Sequence, residues 1–476
     1  MKFKTTQLFV YGFAISLLSI GCSSETDLPI ENKTTVSTIV DETTLQNSEQ
    51  MRFQKETSLL VGRLLLNNEV RDEVLTRMKE VSDDGELVSF GYLLGKRKGI
   101  RKVESDKMAS YAFRKNNLFA AALKNELATN MAMYPTIDAF MSKKKAITVT
   151  SRIAEEGDPF TDQNLQIYSP YNEINETPEA TYDTFYTSVE RADGAPTNSG
   201  YFFEISTQSL TIIPEMDNDL IDTNPSFITS VIDDCDIVGG TCETVELFAG
   251  SMPPPLTNEP TLLTYSVDHA NITEEDIITS RIPSIKIKGT DYMGFGGTHQ
   301  KLRIYRGTVE GGITQNADGT SSISGLKYQV GTDVKTKRKN VRNENWVALD
   351  AQFDPDWNQS ETTQQLVVFS LHKLSKKGEF SGKVDYSVKL NEKGELVSTP
   401  TATGSATVKM TEGSAILRAN VELPRRQVLS TITGAGSTGK TENDGGIEYN
   451  VKTVGIVDFY FKHWYTDLNG SKTIKQ

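Results

Sequence analysis

Val384-Asp385-Tyr386-Ser387-Val388-Lys389-Leu390-Asn391-Glu392-Lys393-Gly394-Glu395-Leu396-Val397 is the stretch from which the fold of this chain is read. Val384, Tyr386, Val388 and Leu390 alternate with polar residues, the period of two that marks a half-buried strand. Asn391 to Glu395 then supplies turn chemistry, and Leu396-Val397 resumes the apolar run, so the segment predicts a β-hairpin. The same period recurs along the chain. Leu165 and Ile167 alternate with Gln166 and Tyr168 before Ser169-Pro170-Tyr171-Asn172, and Leu302, Ile304 and Tyr305 form a strand-like run, as do Leu366 to Leu371. Further strands are expected near 405–410, 414–423, 426–433, 447–452 and 454–465. Many short strands with turns between them favour an antiparallel body, sandwich-like or a barrel, over an α/β sheet.

Upstream of residue 147 the period is that of a helix. Val70, Val74, Leu75 and Met78 fall on one helix face, and Phe119, Leu123, Leu127 and Met131 recur every fourth residue. Asn67-Asn68-Glu69 predicts a capped start and Asp83-Asp84-Gly85 a stop, while Pro135 suits the first turn of a last helix ending near Lys143-Lys144-Lys145. The expected class is therefore α+β: a helical segment over 47–146, then a β-rich body in two parts, 147–260 and 261–476. The stiff Pro253-Pro254-Pro255 places a soft boundary between those parts in the stretch from about 250 to 280.

Residues 1–7 carry Lys2 and Lys4 and no acid, and the apolar run Leu8 to Ile20 is broken only by Gly12, Ser16 and Ser19. That is the build of a signal peptide, too short for a membrane-spanning helix of about 20 apolar residues. It ends Leu18-Ser19-Ile20-Gly21-Cys22, which resembles the lipobox of bacterial lipoproteins, where a small residue precedes a cysteine that takes a diacylglyceryl group. The usual leucine stands here at Leu18, four places before the cysteine rather than three. The resemblance implies a lipoprotein signal over 1–21, cleavage before Cys22 and attachment to a membrane through lipid on Cys22. The rival reading is cleavage by the ordinary peptidase, with Cys22 a bystander. Each buried acyl CH₂ contributes about 0.8 kcal/mol, so two or three chains hold a protein firmly with no membrane helix. Glu25 and Asp27 resemble the acidic surface-export signal of Bacteroidota lipoproteins, against a plain solvated linker. The polar stretch 22–46 reads as a flexible tether.

Loss of residues 1–21 removes two lysines and no acid, so the net charge moves from −13 to −15. An acidic chain of this kind argues against nucleic acid as a partner. With Cys22 lipidated, Cys235 and Cys242 remain, closing a short loop around Gly239-Gly240, and an even pair in an oxidising compartment predicts a local disulfide.

Two strings invite a ligand. Gly434-Ala435-Gly436-Ser437-Thr438-Gly439-Lys440-Thr441 satisfies the Walker A pattern, whose Gly434, Gly439, Lys440 and Thr441 would cradle a phosphate at a helix N-terminus. Val428 to Thr433 reads as the strand such a loop needs before it, but Asn443, Asp444, Gly445 and Gly446 follow where its helix would need to start. The string is expected to be a hairpin loop, and no nucleotide is expected to bind. Asp354, Asp356 and Asn358 place oxygen ligands at alternate positions, as a calcium loop does. The EF-hand pattern fails at Gln359 and Gln365, where it needs Gly and Glu, leaving a looser Ca²⁺ site or an acidic turn with Trp357 packed beneath it. His269, His299, His372 and His463 are scattered; Gly294 to His299 reads as a flexible loop, and His372 as a packed or edge-strand residue. Lys335, Lys337, Arg338, Lys339 and Arg342 read as a solvated strand edge that discourages aggregation, the alternative being a seat for an anionic glycan or lipid headgroup.

The lipobox, the helical phrase Asn68-Glu69-Val70-Arg71 and the strand Leu165-Gln166-Ile167-Tyr168-Ser169-Pro170-Tyr171 together resemble uncharacterised Bacteroidota surface lipoproteins over residues 1–175. The resemblance implies location and architecture and no assigned activity. The expected function is a lipid-anchored envelope protein, at the outer membrane or cell surface, with a non-enzymatic binding or structural role toward an extracellular glycan or protein ligand. The alternative is a lipid-anchored hydrolase acting on glycans or peptides, whose paired carboxylates a linear sequence does not display.

Overall fold

The computed structural model describes residues 49–467 apart from 97–98, 106, 108–116, 151–157, 176–181, 192, 233–260, 265–275, 308, 316–320, 327–329, 355–356, 358–362, 372–378, 383–384, 391–395, 404–405, 410–414 and 430–438. Helices come first and a β-rich body of several antiparallel sheets follows, the α+β order expected. Helices α1 (Glu49–Leu65) and α2 (Asn68–Val81) meet at Asn67, whose side chain accepts from the amides of Glu69 at 2.9 Å and Val70 at 3.4 Å. Val70, Val74, Leu75 and Met78 all point inward. Helix α3 (Leu118–Asn130) buries Phe119, Leu123 and Leu127, and α4 (Pro135–Thr150) starts at its proline but runs on past the three lysines.

Within the segment expected to be all helix lies β1 (Leu87–Ser89), three residues and so too short to show a period. It pairs antiparallel with β2 (Leu165–Tyr168). After α5 (Pro170–Asn175) come β3 (Thr184–Val189), β4 (Thr197–Glu204), β5 (Ser209–Asp217), α6 (Asn218–Thr223) and β6 (Ser226–Val231). These strands form a sheet in the order β1-β2-β6-β3-β4-β5, in which β3 and β6 run parallel. Helices and sheet share one core: Phe53, Leu60 and Leu64 of α1, Met78 of α2 and Phe119 of α3 join Ile167, Phe185, Phe203 and Phe227. Gly62 permits this approach, because a Cβ there would stand 2.1 Å from the Phe203 ring.

All four residues of β2 are buried, because the second face of the sheet is covered as well. There Leu87, Tyr168, Met216, Ile221 and Ile228 pack around Phe295, a residue of the β-rich body. The alternation of Leu165 to Tyr168 therefore separates two cores, not core from water.

The body continues with β7 (Thr261–Leu262), β8 (Asp276–Ile287), β9 (His299–Gly307), β10 (Val309–Gln315), β11 (Ser321–Leu326), β12 (Val330–Lys337), α7 (Arg338–Arg342), β13 (Trp346–Asp354) and β14 (Thr363–Leu371). It ends with β15 (Glu379–Gly382), β16 (Asp385–Leu390), β17 (Leu396–Thr403), β18 (Ala406–Lys409), β19 (Ala415–Pro424), α8 (Arg425–Leu429), β20 (Thr441–Asp444), β21 (Ile447–Asn450), β22 (Lys452–Val454), β23 (Val457–Phe459) and β24 (Lys462–Asp467). The predicted hairpin is present as β16–β17, with Leu390 opposite Leu396. Two sheets face each other. Leu302, Ile304, Val334, Leu366, Val368 and Leu423 come from β12-β9-β14-β19, and Ile285, Ile287, Phe353, Val457 and Phe459 from the sheet around β8, with Phe461 added from the link between β23 and β24. Strand β8 takes β13 along one edge; along the other it takes β24 over Asp276–Arg281 and β23 over Ile285–Ile287. Pro283, which has no N–H to give, sits where the partner changes.

The strand expected over 426–433 is overturned at its start by α8. Arg425 donates to the Trp357 carbonyl at 3.0 Å, and the Val428 carbonyl lies 3.0 Å from His463 Nε2, so both ends of one short helix are tied to the body. Among the described residues no helix is long and apolar enough to cross a membrane.

Candidate functional site

The basic run lies where the helix-covered sheet meets the β-rich body. Lys335 is exposed on β12, the outer strand of its sheet, as expected of an edge. The solvated-edge reading fails for the other four, whose partners are acids more than a hundred residues earlier in the chain. Arg338 is 0 % exposed. Its Nε donates to Asp222 Oδ1 at 2.6 Å, Nη2 to Asn218 Oδ1 at 2.5 Å and Nη1 to the Gly297 carbonyl at 3.0 Å. Arg342 Nε pairs with the other oxygen of Asp222, and its Nη2 lies 2.7 Å from Asp219. Lys337 Nζ stands 3.0 Å from Asp84 and 3.6 Å from Glu86, and Lys339 Nζ 3.4 Å from Asp84. Burial works against the charge of Asp84, yet the two lysines hold its carboxyl below the usual range.

Glu173 of α5 sits at the centre of this junction. It is 1 % exposed, accepts from Tyr168 Oη at 2.5 Å and takes the backbone N–H of Lys339 at 2.8 Å. Burial pushes its carboxyl up to about 7, with Glu86 adding to the rise and Arg338 opposing it. Burial likewise pushes the Tyr168 phenol well above its ordinary value, and Glu173 reinforces this. The arrangement binds a proton near neutrality inside a sealed, ion-paired joint. Arg338 meanwhile fixes the segment Met293–Gly297 against α6.

That segment is the Gly294–His299 stretch expected to be flexible, and the structure corrects this too. Gly296 donates its N–H to Asn218 Oδ1 at 3.2 Å, while Phe295 exchanges backbone bonds with Arg191 and Ala195 at 2.9 and 2.8 Å. A Cβ on Gly294 would lie 2.8 Å from the Arg191 carbonyl, so the glycine answers to close packing rather than to mobility. His299, with Nδ1 3.1 Å from Thr298 Oγ1, lines a cavity beside the junction together with Glu190, Arg191, Gln300 and Lys301. The cavity volume is about 20 Å³, room for roughly one water.

A second buried pair lies in the β-rich body. His463 and Ser280 are both 0 % exposed, with His463 Nδ1 2.8 Å from Ser280 Oγ and Nε2 3.0 Å from the Val428 carbonyl. The carbonyl needs a donor, so Nε2 carries the proton and Nδ1 accepts from the serine. Burial pulls this imidazole down to about 4. The distance is that of a serine–histidine dyad, but the second ring nitrogen meets a carbonyl rather than a carboxylate, and both side chains are closed off from substrate.

Cys22, Cys235, Cys242, Asp356, Asn358, Gly434, His269 and His372 lie outside the described residues. Asp354 accepts from Gln364 Nε2 at 2.5 Å, and Trp357 is buried against Phe353. Among the described residues no group of three or more His, Cys, Asp or Glu side chains could hold a metal ion. In the Walker A string Lys440 pairs with Asp458, and Thr441 opens β20, which pairs with β21 where a phosphate loop needs a helix. Sequence reading missed Glu173 of α5 and Asn218 and Asp222 of α6, two short helices set apart in the chain. The one local signal was the phrase around Tyr168 to Tyr171. Compared with protein-family models, curated protein sequences and solved structures, the chain matches none.

Proposed function

We propose that the protein is a lipid-anchored lipoprotein of a bacterial envelope, at the outer membrane or cell surface, with a binding or structural role rather than a catalytic one. The observation that carries this is the run Leu8 to Ile20 closing on Gly21-Cys22 behind a basic N-terminus, with a polar, acid-bearing spacer immediately after it. The junction supports it in a second way. Arg338, Lys337, Lys339 and Arg342 are engaged with Asp222, Asp84, Glu86 and Asp219, which joins the helix-covered sheet to the β-rich body as one unit suited to presenting a surface. The test is mass spectrometry of the peptide that begins at residue 22, with protease shaving of intact cells. Acylated Cys22 and removal by external protease are expected. A free Cys22 thiol overturns the anchor, and full protection from protease overturns surface display.

A further inference from the structure

Strand β5 is the outer strand of its sheet, and among the described residues nothing pairs with its free edge. Ser209, Leu210, Thr211 and Ile212 are exposed on both faces of the strand. Ile212, at 68 %, is the most exposed large hydrophobic among the described residues, and Leu210 is 38 % exposed.

Folded proteins guard such edges with lysines, prolines, bulges or short strands, because a row of unpaired N–H and C=O groups recruits another strand. Strand β12 follows that rule, with exposed Asp333 and Lys335 along its outer strand. In β5 the guard covers only the far half, where the pairing with β4 slips between Asn198 and Gly200 and Pro214 removes an N–H. Ser209 to Ile213 has no such guard, and Ile205 to Pro214 holds no charged residue in a chain that is 24 % charged.

We propose that Ser209–Ile213 is a self-association edge, pairing antiparallel with the same strand of a second copy about a twofold axis at Thr211. The partner is argued from self-complementarity. A twofold interface uses the same patch on both subunits, so every residue must tolerate its mirror position. About Thr211, Ser209 faces the second copy's Ile213 and Leu210 faces the second copy's Ile212. Leu210 and Ile212 lie on one face of the strand, so four exposed apolar side chains become one cluster. No acid stands directly opposite an acid in this register, which matters for two molecules of net charge −13. Pairing would join two six-stranded sheets into one, and tethering to a membrane would raise the local concentration of the edge. The pairing itself does not depend on the lipid anchor.

The full chain with Thr211→Cys, oxidised with copper phenanthroline, tests the register. In an antiparallel pair, opposed Cα atoms lie about 4.5–5.5 Å apart, within reach of a disulfide. Thr211→Cys is expected to run at twice its mass on a non-reducing gel. Ser209→Cys, displaced by two residues from the axis, is expected to stay single. Sedimentation velocity of the detergent-solubilised protein should give a dimer, and Ile212→Lys should halve that mass while the far-UV circular dichroism stays that of the folded chain, since the side chain is exposed in the single chain. A monomer at all concentrations, or cross-linking of Thr211→Cys no greater than that of Ser209→Cys, overturns the proposal. Both outcomes leave the state of Cys22 untouched, so this failure is distinguishable from failure of the anchor.

Discussion

Glu173 and His463 are buried titratable groups whose shifts oppose each other over the same pH range. The Glu173 carboxyl rises from 4.5 to about 7 on folding, and the His463 imidazole falls from 6.5 to about 4. Between pH 4.5 and 7 the folded chain holds a proton on Glu173 that the unfolded chain has released, so stability falls as pH rises. Between pH 4 and 6.5 the unfolded chain holds a proton on His463 that the folded chain rejects, so stability rises with pH. Each shift is about 2.5 pH units, or about 3 kcal/mol over its full span, and each slope is about 1.4 kcal/mol per pH unit. From pH 4.5 to 6.5 they cancel, and the wild type should be nearly flat as far as these two groups decide. Removing either one exposes the other. Glu173→Gln should gain about 3 kcal/mol of stability from pH 4.5 to 6.5, and His463→Gln should lose a similar amount over the same interval. The assay is urea denaturation at half-unit pH steps, read as the difference from wild type so that carboxylates common to both drop out. Parallel curves for wild type and Glu173→Gln would show that Glu173 titrates normally and would refute its burial as the cause. If the helix-covered sheet and the β-rich body unfold in separate transitions, the cancellation disappears and each slope is found in its own transition.

Other consequences of the packing can be measured directly. Arg338→Met leaves Asp222 and Asn218 without their buried cation and should cost about 3–5 kcal/mol, as should Asp222→Asn from the other side; chemical denaturation reads both. Gly62→Ala drives a methyl into the Phe203 ring and should cost about 1–3 kcal/mol despite the better helix propensity of alanine. Phe203→Leu in the same chain should recover part of that loss, and a double-mutant cycle without coupling would contradict the close approach. Lys440→Met should leave nucleotide binding unchanged at background in equilibrium dialysis with Mg-ATP, because this lysine serves Asp458. A saturable signal lost in the variant would reverse that assignment.

How legible each element was follows from the range of the interactions that form it. Asn67 capping α2, and the antiparallel pairing of the neighbouring strands β16 and β17, are decided within about twenty residues, so spacing and residue type were sufficient. Strand β1 was invisible because three residues carry no period, and its partner lies beyond α3, α4 and several shorter helices. The helix at Arg425–Leu429 replaced an expected strand because its bonds go to Trp357 and His463, which no local pattern shows. The junction was misread for the same reason. Lys337, Arg338 and Lys339 look like a solvated run until Asp84 and Asp222 are folded against them, 253 residues away for the Lys337–Asp84 pair and 116 for Arg338–Asp222. Glycine was ambiguous in its own way: Gly294 and Gly296 suggested mobility, whereas their missing side chains admit the Arg191 carbonyl and the Ile228 side chain.

Strand β8 has a consequence for the order in which the molecule can be made. One of its edges is filled entirely by β23 and β24, and the contact between Ser280 and His463 spans 183 residues. The earlier six-stranded sheet likewise lacks a cover for its second face until Phe295 and Arg338 have left the ribosome. A growing chain can therefore close the helix-covered face once Phe227 is made, whereas the second face waits for Phe295 and the two-sheet core of the body for β23. If the chain is exported as proposed above, closure this late suits a polypeptide that crosses a membrane before it folds.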